Sequence, residues 1–184
     1  MNPLRTAPNL LTLLRICLAP FLVAAILQRD FRLSLVLFVV AGLTDALDGL
    51  LARLLHQKTK LGEYLDPVAD KLLLSTLFVV LTHLGLIPLT VTILVLGRDV
   101  GILIVAALLY IAAGMRDFSP GIFGKANTVA QILAVSMVLL GQADVAPWIL
   151  FTRSWALNAT IVLTIASGIQ YAWRVAHKPL VASR

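Results

Sequence analysis

Six apolar stretches follow one another along the chain, and they restrict its fold more than any other feature. Each is close to the roughly 20 residues that an α-helix needs to cross the hydrocarbon core of a bilayer. The stretches run from Leu10 to Leu27, Leu33 to Leu54, Asp66 to Leu84, Pro88 to Ala113, Ile122 to Leu140 and Trp148 to Trp173. We therefore expect an all-α, polytopic membrane protein with six transmembrane helices joined by short connections.

The composition agrees with this expectation and excludes a soluble domain. Of the 184 residues, 60% are hydrophobic and 13% are charged, and the mean hydropathy is +0.96. No internal repeat or linker interrupts the sequence, so residues 1–184 are expected to form a single transmembrane domain. The formal net charge of +6 points to lipid headgroups and phosphorylated substrates as partners rather than to nucleic acid.

Lysine and arginine are distributed unevenly between the two sides of such a bundle. If the N-terminus is inside, nine of them fall in inner segments and three in outer segments, so the positive-inside rule predicts that both termini are cytoplasmic. The inner residues are Arg5, Arg53, Lys58, Lys60, Arg116, Lys125, Arg174, Lys178 and Arg184, and the outer ones are Arg29, Arg32 and Arg153. No cleavable signal peptide or transit peptide is evident, which favours a bacterial inner (plasma) membrane.

Acidic residues are concentrated between Asp45 and Asp70, a stretch that holds five of the nine in the chain. Asp45 and Asp48 are three residues apart, and Asp66 and Asp70 are four apart. On helices each pair would share one face, and two such helices joined by a short loop can bring four carboxylates together. Like charges this close repel, so the cluster requires protons or cations to neutralise it. Oxygen ligands without Cys or His at metal-ligand spacing suit Mg²⁺, Mn²⁺ or Ca²⁺ rather than zinc.

The residues between the aspartates indicate what such metal ions would hold. Gly49 lets a ligand approach the helix backbone, and Ala52 is small. Arg53 lies four residues after Gly49, from where its guanidinium can reach over the same face to a phosphate. The pattern is typical of a site for a metal-bound diphosphate. The alternative is an ordinary polar helix end with Asp66 as N-cap and Pro67 in the first turn, but capping accounts for Asp66 alone.

Eight residues in this stretch resemble, at every position, the signature of the CDP-alcohol phosphatidyltransferase family. They are Asp45, Asp48, Gly49, Ala52, Arg53, Gly62, Asp66 and Asp70. The similarity extends over nearly the whole chain, through PNLLTLLR, AGLTD, DPVADK, GRDV and GKANTVAQ. These segments look most like the cardiolipin synthase branch that uses CDP-diacylglycerol, with the phosphatidylglycerophosphate synthases close behind.

The resemblance implies a reaction and a role for each aspartate. CDP-diacylglycerol would transfer its phosphatidyl group to an alcohol and release CMP, with the help of two divalent cations, Mg²⁺ or Mn²⁺. Asp45 and Asp66 would contact both metals, Asp48 one of them and Asp70 the other. Asp70 would also be the catalytic general base that takes the proton of the acceptor hydroxyl.

By the same resemblance, five further residues would bind the nucleotide part of the donor. Gly49 and Arg53 would contact its diphosphate. Asn9 and Thr12 stand on the segment that lies beside the nucleotide in the family and would hydrogen-bond the cytidine diphosphate. Thr59, between the second and third stretches, is assigned the same role. The alternative for Asn9 is that of a helix N-cap.

Two basic residues outside the signature are candidates for contact with the acceptor. Arg98 stands beside Asp99 deep in the fourth stretch, where charges are costly and usually face the bundle interior. The two either serve the site or form a structural ion pair, and Lys71, directly after Asp70, allows the same two interpretations. Lys125, near the start of the fifth stretch, either meets an acceptor phosphate or anchors the chain at the cytoplasmic surface.

The identity of the acceptor is the remaining question. Similarity in AGLTD, GRDV and GKANTVAQ favours phosphatidylglycerol, which would give cardiolipin. Glycerol 3-phosphate, which would give phosphatidylglycerophosphate, is the alternative and would need a tight cationic pocket. A membrane cation transporter could also use intramembrane carboxylates, but it has no need of Gly49, Ala52 and Arg53 at their spacing. Members of the family are commonly dimeric, so a homodimer is expected.

Overall fold

The computed structural model is built from six α-helices and shows no strand in the part of the chain that it describes. That part comprises residues 7–54, 60–113, 121–144 and 146–177, with side chains for all of these except 7–13, 45, 46, 48–54, 60–70, 110, 112 and 113. The helices are α1 (Ala7–Leu27), α2 (Phe31–Leu54), α3 (Lys60–His83), α4 (Leu89–Ala113), α5 (Ile122–Ala143) and α6 (Pro147–Ala176). The expectation of an all-α fold with six helices is confirmed.

The apolar character of the helices is that of a membrane protein. Within the described residues, Leu89–Leu109 of α4, the whole of α5 and the whole of α6 are long and apolar enough to cross a bilayer. The described side chains of the first three helices form shorter apolar segments, Leu14–Leu27, Phe31–Thr44 and Lys71–His83. Helices satisfy their backbone hydrogen bonds internally, as a lipid environment requires, so the bundle as a whole suits a bilayer.

The helix bounds follow the predicted stretches to within a few residues, except at the start of α3. The sequence predicts a third span beginning at Asp66, whereas α3 begins at Lys60. Asp66 and Pro67 are therefore the seventh and eighth residues of the helix, and the interpretation of Asp66 as an N-cap is wrong. The hydropathy pattern misses the first six residues of the helix because Lys60 and Glu63 are polar, although both residue types favour helices.

Two tight turns reverse the chain at one end of the bundle. After α1 the chain turns at Arg29, whose φ is 61°, and the carboxylate of Asp30 then caps α2 by accepting a hydrogen bond from the N–H of Leu33 at 3.1 Å. After α3 the chain turns at Gly85, whose φ of 71° suits glycine. There the N–H of Leu86 donates to the carbonyl of Leu81 at 2.9 Å, which forms a Schellman motif. The end of α2 at Leu54 and the start of α3 at Lys60 consequently lie at the opposite end of the bundle, which we call the signature end.

The interior of the bundle changes from apolar to polar toward the signature end. Near the two tight turns, buried side chains form one apolar cluster that includes Leu22, Ile26, Phe38, Leu77, Phe78, Leu81, Val91, Val95, Val135, Val138 and Leu139. Toward the signature end, the buried side chains include Arg15, Asp99, Asn127, Gln131, Thr164 and Ser167. Polar groups are costly to bury unless they are hydrogen-bonded, so this half of the bundle is where a binding site is expected.

Candidate functional site

The four signature aspartates lie at matched depth on two consecutive helices. Asp45 and Asp48 stand nine and six residues before the end of α2, and Asp66 and Asp70 stand six and ten residues after the start of α3. At a rise of about 1.5 Å per residue, both pairs are about 9–15 Å from the signature end. The helical backbone confirms that each pair shares one helix face. The side chains of these residues lie outside the described part of the structure, so their contacts stay predictions.

The residues assigned to the nucleotide also lie toward the signature end. Gly49 and Arg53 are in the last two turns of α2, and Asn9 and Thr12 are in the first two turns of α1. Asn9 is the third residue of α1, so it is not an N-cap. α1 and α2 pack against each other along the bundle, which is consistent with a shared site. Thr59 lies outside the described residues.

The chemistry of this residue set fits a divalent cation. Carboxylate oxygens are preferred ligands of Mg²⁺ and Mn²⁺, and α2 and α3 supply four carboxylates at one depth. Among the residues whose side chains are described, no further group of three or more His, Cys, Asp or Glu could hold a metal ion. The aspartates of α2 and α3 are therefore the candidate metal ligands.

A layer of charged and polar side chains crosses three helices directly beside Asp70. Asp99 of α4 accepts from Nη1 of Arg98 at 2.5 Å, and its carboxylate lies 3.6 Å from Nζ of Lys71 on α3. Nε of Arg98 donates to Oγ of Ser167 on α6 at 2.9 Å. We call Lys71, Arg98, Asp99 and Ser167 the polar layer. The ion pair between Arg98 and Asp99 is confirmed, whereas a contact of Arg98 with an acceptor stays a prediction.

The polar layer continues through α6 to α5. Ser167 donates from Oγ to the carbonyl of Thr164 at 3.0 Å, and Oγ1 of Thr164 donates to Oδ1 of Asn127 on α5 at 3.0 Å. The side chain of Asn127 is buried, and its Nδ2 has no hydrogen-bond partner among the described residues. Polar contacts thus link α3, α4, α6 and α5. Asn127, Thr164 and Ser167 were not predicted as functional residues, although each is a polar residue inside an apolar stretch.

Lys125 lies apart from Arg98. It is exposed in the first turn of α5, and no hydrogen bond or ion pair joins it to Arg98 within the described residues. The two are nevertheless at similar depth, because α5 and α6 run antiparallel and Asn127 is level with Thr164. Lys125 is then level with residue 166 of α6, next to Ser167, which binds Arg98. The two basic residues therefore stand at one level on the two helices that pack against α6.

Two cavities flank the polar half of the bundle. One, of about 340 Å³, lies between α1, α2, α3 and α5, and its lining includes Arg15, Phe38, Gly42 and Thr128. Gly42 is three residues before Asp45, so this cavity adjoins the aspartate cluster. The other, of about 450 Å³, lies between α4 and α6, and Arg98 is its one charged lining residue among those described. Both cavities are lined mainly by apolar side chains.

The chain has relatives in both branches suggested by its sequence. Cardiolipin synthase (CMP-forming) of Rattus norvegicus is 39% identical over 152 residues, which cover 73% of this chain and 50% of the rat protein. The human enzyme of the same name is 35% identical, over 90% of this chain and 60% of its own length. The CDP-diacylglycerol--glycerol-3-phosphate 3-phosphatidyltransferase of Bacillus subtilis (strain 168) is 32% identical, over 89% of this chain and 92% of its own length.

The chain also matches a family as a whole. This chain spans 50% to 60% of the length of the two mammalian relatives, so their names describe longer proteins. The profile of the CDP-alcohol phosphatidyltransferases matches residues 5–166, a range that includes all eight signature positions and most of the six helices. Since the match covers most of the chain and the signature lies intact on α2 and α3, the chain belongs to the CDP-alcohol phosphatidyltransferase family.

Proposed function

We propose that the protein is a transferase of phospholipid biosynthesis that moves the phosphatidyl group of CDP-diacylglycerol to phosphatidylglycerol and releases CMP, forming cardiolipin. The observation that carries the proposal is the placement of the four signature aspartates at one depth on consecutive helices of a family member. The name of the Bacillus relative gives CDP-diacylglycerol as its donor, and the names of the mammalian relatives give CMP as a product. Residues 1–184 would carry this activity as one transmembrane domain.

The donor would bind between α1, α2 and α3. Gly49 and Arg53 would hold its diphosphate, while Asn9, Thr12 and Thr59 would hydrogen-bond the cytidine nucleotide. The cavity of about 340 Å³ beside Gly42 is apolar and adjoins the aspartates, so it suits an acyl chain of the same donor. CDP-diacylglycerol needs a polar surface for its nucleotide beside an apolar surface for its acyl chains, and α2 would contribute to both.

The aspartates would bind the cations and accept the proton of the acceptor hydroxyl. Two divalent cations, Mg²⁺ or Mn²⁺, would be bound by Asp45, Asp48, Asp66 and Asp70, and when bound they neutralise the diphosphate and make CMP a better leaving group. Asp70 would accept the proton of the acceptor hydroxyl. The acceptor oxygen would then bond to the phosphatidyl phosphorus while the bond from that phosphorus to the CMP oxygen breaks.

The acceptor is assigned to the side of Arg98 and Lys125. A reaction that joins two phospholipids needs two apolar surfaces, and the bundle has a cavity on each side of its polar half. Arg98 and Lys125 would bind the acceptor's phosphate. Glycerol 3-phosphate is the second candidate, favoured by the Bacillus relative whose length this chain nearly matches. It would use the same two basic residues but would not need the cavity between α4 and α6.

The setting of the reaction follows from charge distribution and composition. The excess of lysine and arginine in the segments near the signature end predicts that the N-terminus, the C-terminus and the active site are cytoplasmic. We place the protein in a bacterial inner membrane, with membrane lipids around it and a second copy as partner in a homodimer.

The test is CMP release by the purified protein given CDP-diacylglycerol and Mg²⁺, with phosphatidylglycerol and glycerol 3-phosphate in separate reactions. Release with phosphatidylglycerol alone is the expected result. Release with glycerol 3-phosphate alone would replace the acceptor but keep the enzyme class. Release with neither, together with metal flux into vesicles, would favour a cation transporter and overturn the proposal.

A further inference from the structure

A buried arginine stands on α1 at the depth of the signature aspartates. Arg15 is the ninth residue of α1, and only 2% of it is exposed. It lies about 12 Å along α1 from the signature end, where that helix begins. The aspartates have the same depth, about 9–15 Å, on α2 and α3, and α1 packs against both of these helices. The buried charge and the aspartates therefore share one level of the bundle.

The cavity of about 340 Å³ gives the level of Arg15 more closely, since its lining also includes Gly42 of α2 and Leu74 of α3. Asp45 comes three residues after Gly42, toward the signature end. Asp70 comes four residues before Leu74, which on α3 is the same direction. Each aspartate is thus about 4.5–6 Å along its helix from a residue that borders the same cavity as Arg15. Because a helical side chain leaves the backbone toward the N-terminus, Arg15 starts out toward the level of the aspartates.

A buried arginine needs an anion beside it. The guanidinium keeps its charge in proteins, and a charge buried in a bundle is costly unless it is paired. The helices that line the cavity, α1, α2, α3 and α5, contain five acidic residues, which are the four signature aspartates and Glu63. Glu63 is about 10 Å nearer the signature end than Asp70, and Asp99 on α4 is bound by Arg98. The signature aspartates are therefore the anions available to Arg15.

We propose that Arg15 is the internal counter-ion of the signature aspartates, a positioning residue that holds them at one level before metal ions bind and limits how tightly those ions are held. The inference rests on the proposed function, which it deepens by adding a residue that sets the charge of the metal site. Four carboxylates and one guanidinium carry a formal charge of −3. Arg15 therefore reduces the repulsion among the aspartates, and the site still requires cations.

The charge of Arg15 also affects the donor. With two divalent cations bound, the site would be neutral without Arg15 and carries a formal charge of +1 with it. The diphosphate of the donor is anionic, so it binds better to a positive site. Arg15 thus weakens the binding of the cations by repulsion and strengthens the binding of the diphosphate. A residue that only supports the fold would not produce these opposite effects.

Three variants separate the charge of Arg15 from its packing. Arg15→Met keeps most of the length of the side chain and removes the charge, whereas Arg15→Lys keeps the charge. Arg153→Met is the matched control, because Arg153 is a partly buried arginine whose Nη2 donates to the carbonyl of Leu86 at 2.5 Å. Arg153 lies at the end of the bundle with the two tight turns, so its loss should lower stability without changing metal binding.

The measurement is the affinity of the purified protein for Mn²⁺ in an uncharged detergent without CDP-diacylglycerol, obtained from the electron paramagnetic resonance of free Mn²⁺. We expect Arg15→Met to bind Mn²⁺ about tenfold more tightly, because a nearby charge of the same sign has been removed. In EDTA its melting temperature should fall, and saturating Mn²⁺ should recover the loss. Arg15→Lys and Arg153→Met should keep the Mn²⁺ affinity of the wild type. In turnover assays at saturating Mn²⁺, Arg15→Met should raise KM for CDP-diacylglycerol.

The outcomes separate this inference from the proposed function. Equal or weaker Mn²⁺ binding in Arg15→Met would overturn the counter-ion, and CMP release by the wild type would then leave the proposed function standing. An Arg15→Lys variant that binds Mn²⁺ like Arg15→Met would overturn it as well, because the charge would not be the cause. A wild type that neither binds Mn²⁺ nor releases CMP would overturn both proposals.

A second variant keeps the test decisive if Arg15→Met does not fold in EDTA. Arg15→Met/Asp45→Asn removes one carboxylate together with the guanidinium. Folding regained in this double variant would support the pairing of Arg15 with the aspartates. A double variant that stays unfolded would contradict the pairing and show that Arg15 acts through packing alone.

Discussion

The two charged regions in the polar half of the bundle differ in their balance of sign. The signature region has four aspartates at similar depth on α2 and α3, and like charges repel when they are brought together. The polar layer on α3, α4 and α6 contains Arg98, Lys71 and Asp99, whose opposite charges are in contact. A region of one sign has to recruit a cation from outside, whereas a region of both signs is largely compensated from within. We therefore expect the first region to serve binding, whereas the contacts of the second also hold helices together.

The buried fractions of α4 and α5 show why the contacts of the polar layer matter for holding the helices together. Of the membrane-spanning part of α5, 44% is buried inside the bundle, against 17% for α4. α5 is thus held by apolar packing against its neighbours. α4 buries little apolar surface, so its contacts through Arg98 and Asp99 carry a larger share of its attachment to α3 and α6.

Asp70→Asn should have the largest effect on activity and the smallest on folding. Asparagine cannot take the acceptor proton, and loss of a general base lowers turnover by about 10²–10⁴-fold. The free energy of unfolding of the metal-free protein should not fall, because one of four like charges is removed. CMP release and thermal unfolding, measured on the same preparation, check both parts.

The control for Asp70→Asn is Asp144→Asn, which removes an exposed carboxylate just after α5 and should leave turnover unchanged. Normal turnover in Asp70→Asn would remove Asp70 from its role as general base. A large loss of stability in the metal-free variant would show that the aspartates, like the polar layer, hold the bundle together.

Asp99→Asn should differ from Asp70→Asn in the opposite sense, because we expect it to lower the free energy of unfolding more than it lowers turnover per folded molecule. The change leaves Arg98 and Lys71 without their carboxylate, and breaking a buried pair from one side costs about 3–5 kcal/mol. We expect the lower end, because the side chain of Lys71 is 41% exposed and can turn away. Unfolding in detergent micelles measures the loss. The double variant Arg98→Gln/Asp99→Asn should recover part of it, and a double variant as unstable as the sum of its single changes would contradict the pairing.

The helical placement of the first region could be predicted from the sequence because its pattern is local. Spacings of three and four residues place Asp45 with Asp48 and Asp66 with Asp70 on helix faces wherever the helices go. The roles of these residues in metal binding and catalysis come from the match to the family signature and stay predictions. The start of α3 was the exception, since polarity at Lys60 and Glu63 resembles a loop in a hydropathy profile.

The second region could not be predicted because its partners are far apart in the chain. Arg98 and Ser167 are separated by 69 residues, and Thr164 and Asn127 by 37. The packing of side chains along the full length of two helices determines which of their residues become neighbours. The spacing of residues within one helix does not predict these contacts. The sequence identified Arg98 and Asp99 as unusual but gave no means of choosing their partners.

Mg²⁺ should stabilise the protein through the aspartates and not through the polar layer. A ligand that binds only the folded state at 100 times its Kd adds about 2.7 kcal/mol to the free energy of unfolding. EDTA should remove this gain and stop CMP release. Asp48→Asn should lose most of the gain, whereas Asp99→Asn, though less stable, should keep it. A gain in stability that survives in Asp48→Asn but disappears in Asp99→Asn would mean that the cation binds at the polar layer and not at the signature aspartates.

Thr164→Val should give the smallest effect, at the point where the polar layer reaches α5. Valine keeps the shape of threonine but removes the hydroxyl that donates to Oδ1 of Asn127, and a buried acceptor left without its partner costs about 1–3 kcal/mol. Thr90→Val, at an exposed position of α4, is the matched control and should be neutral. Thermal unfolding compares the two. Because the signature aspartates are unchanged, turnover per folded molecule should stay close to that of the wild type. A loss of turnover as large as that of Asp70→Asn would contradict this prediction. It would mean that the hydrogen bonds from Ser167 through Thr164 to Asn127 take part in the chemistry rather than in holding α5 and α6 together.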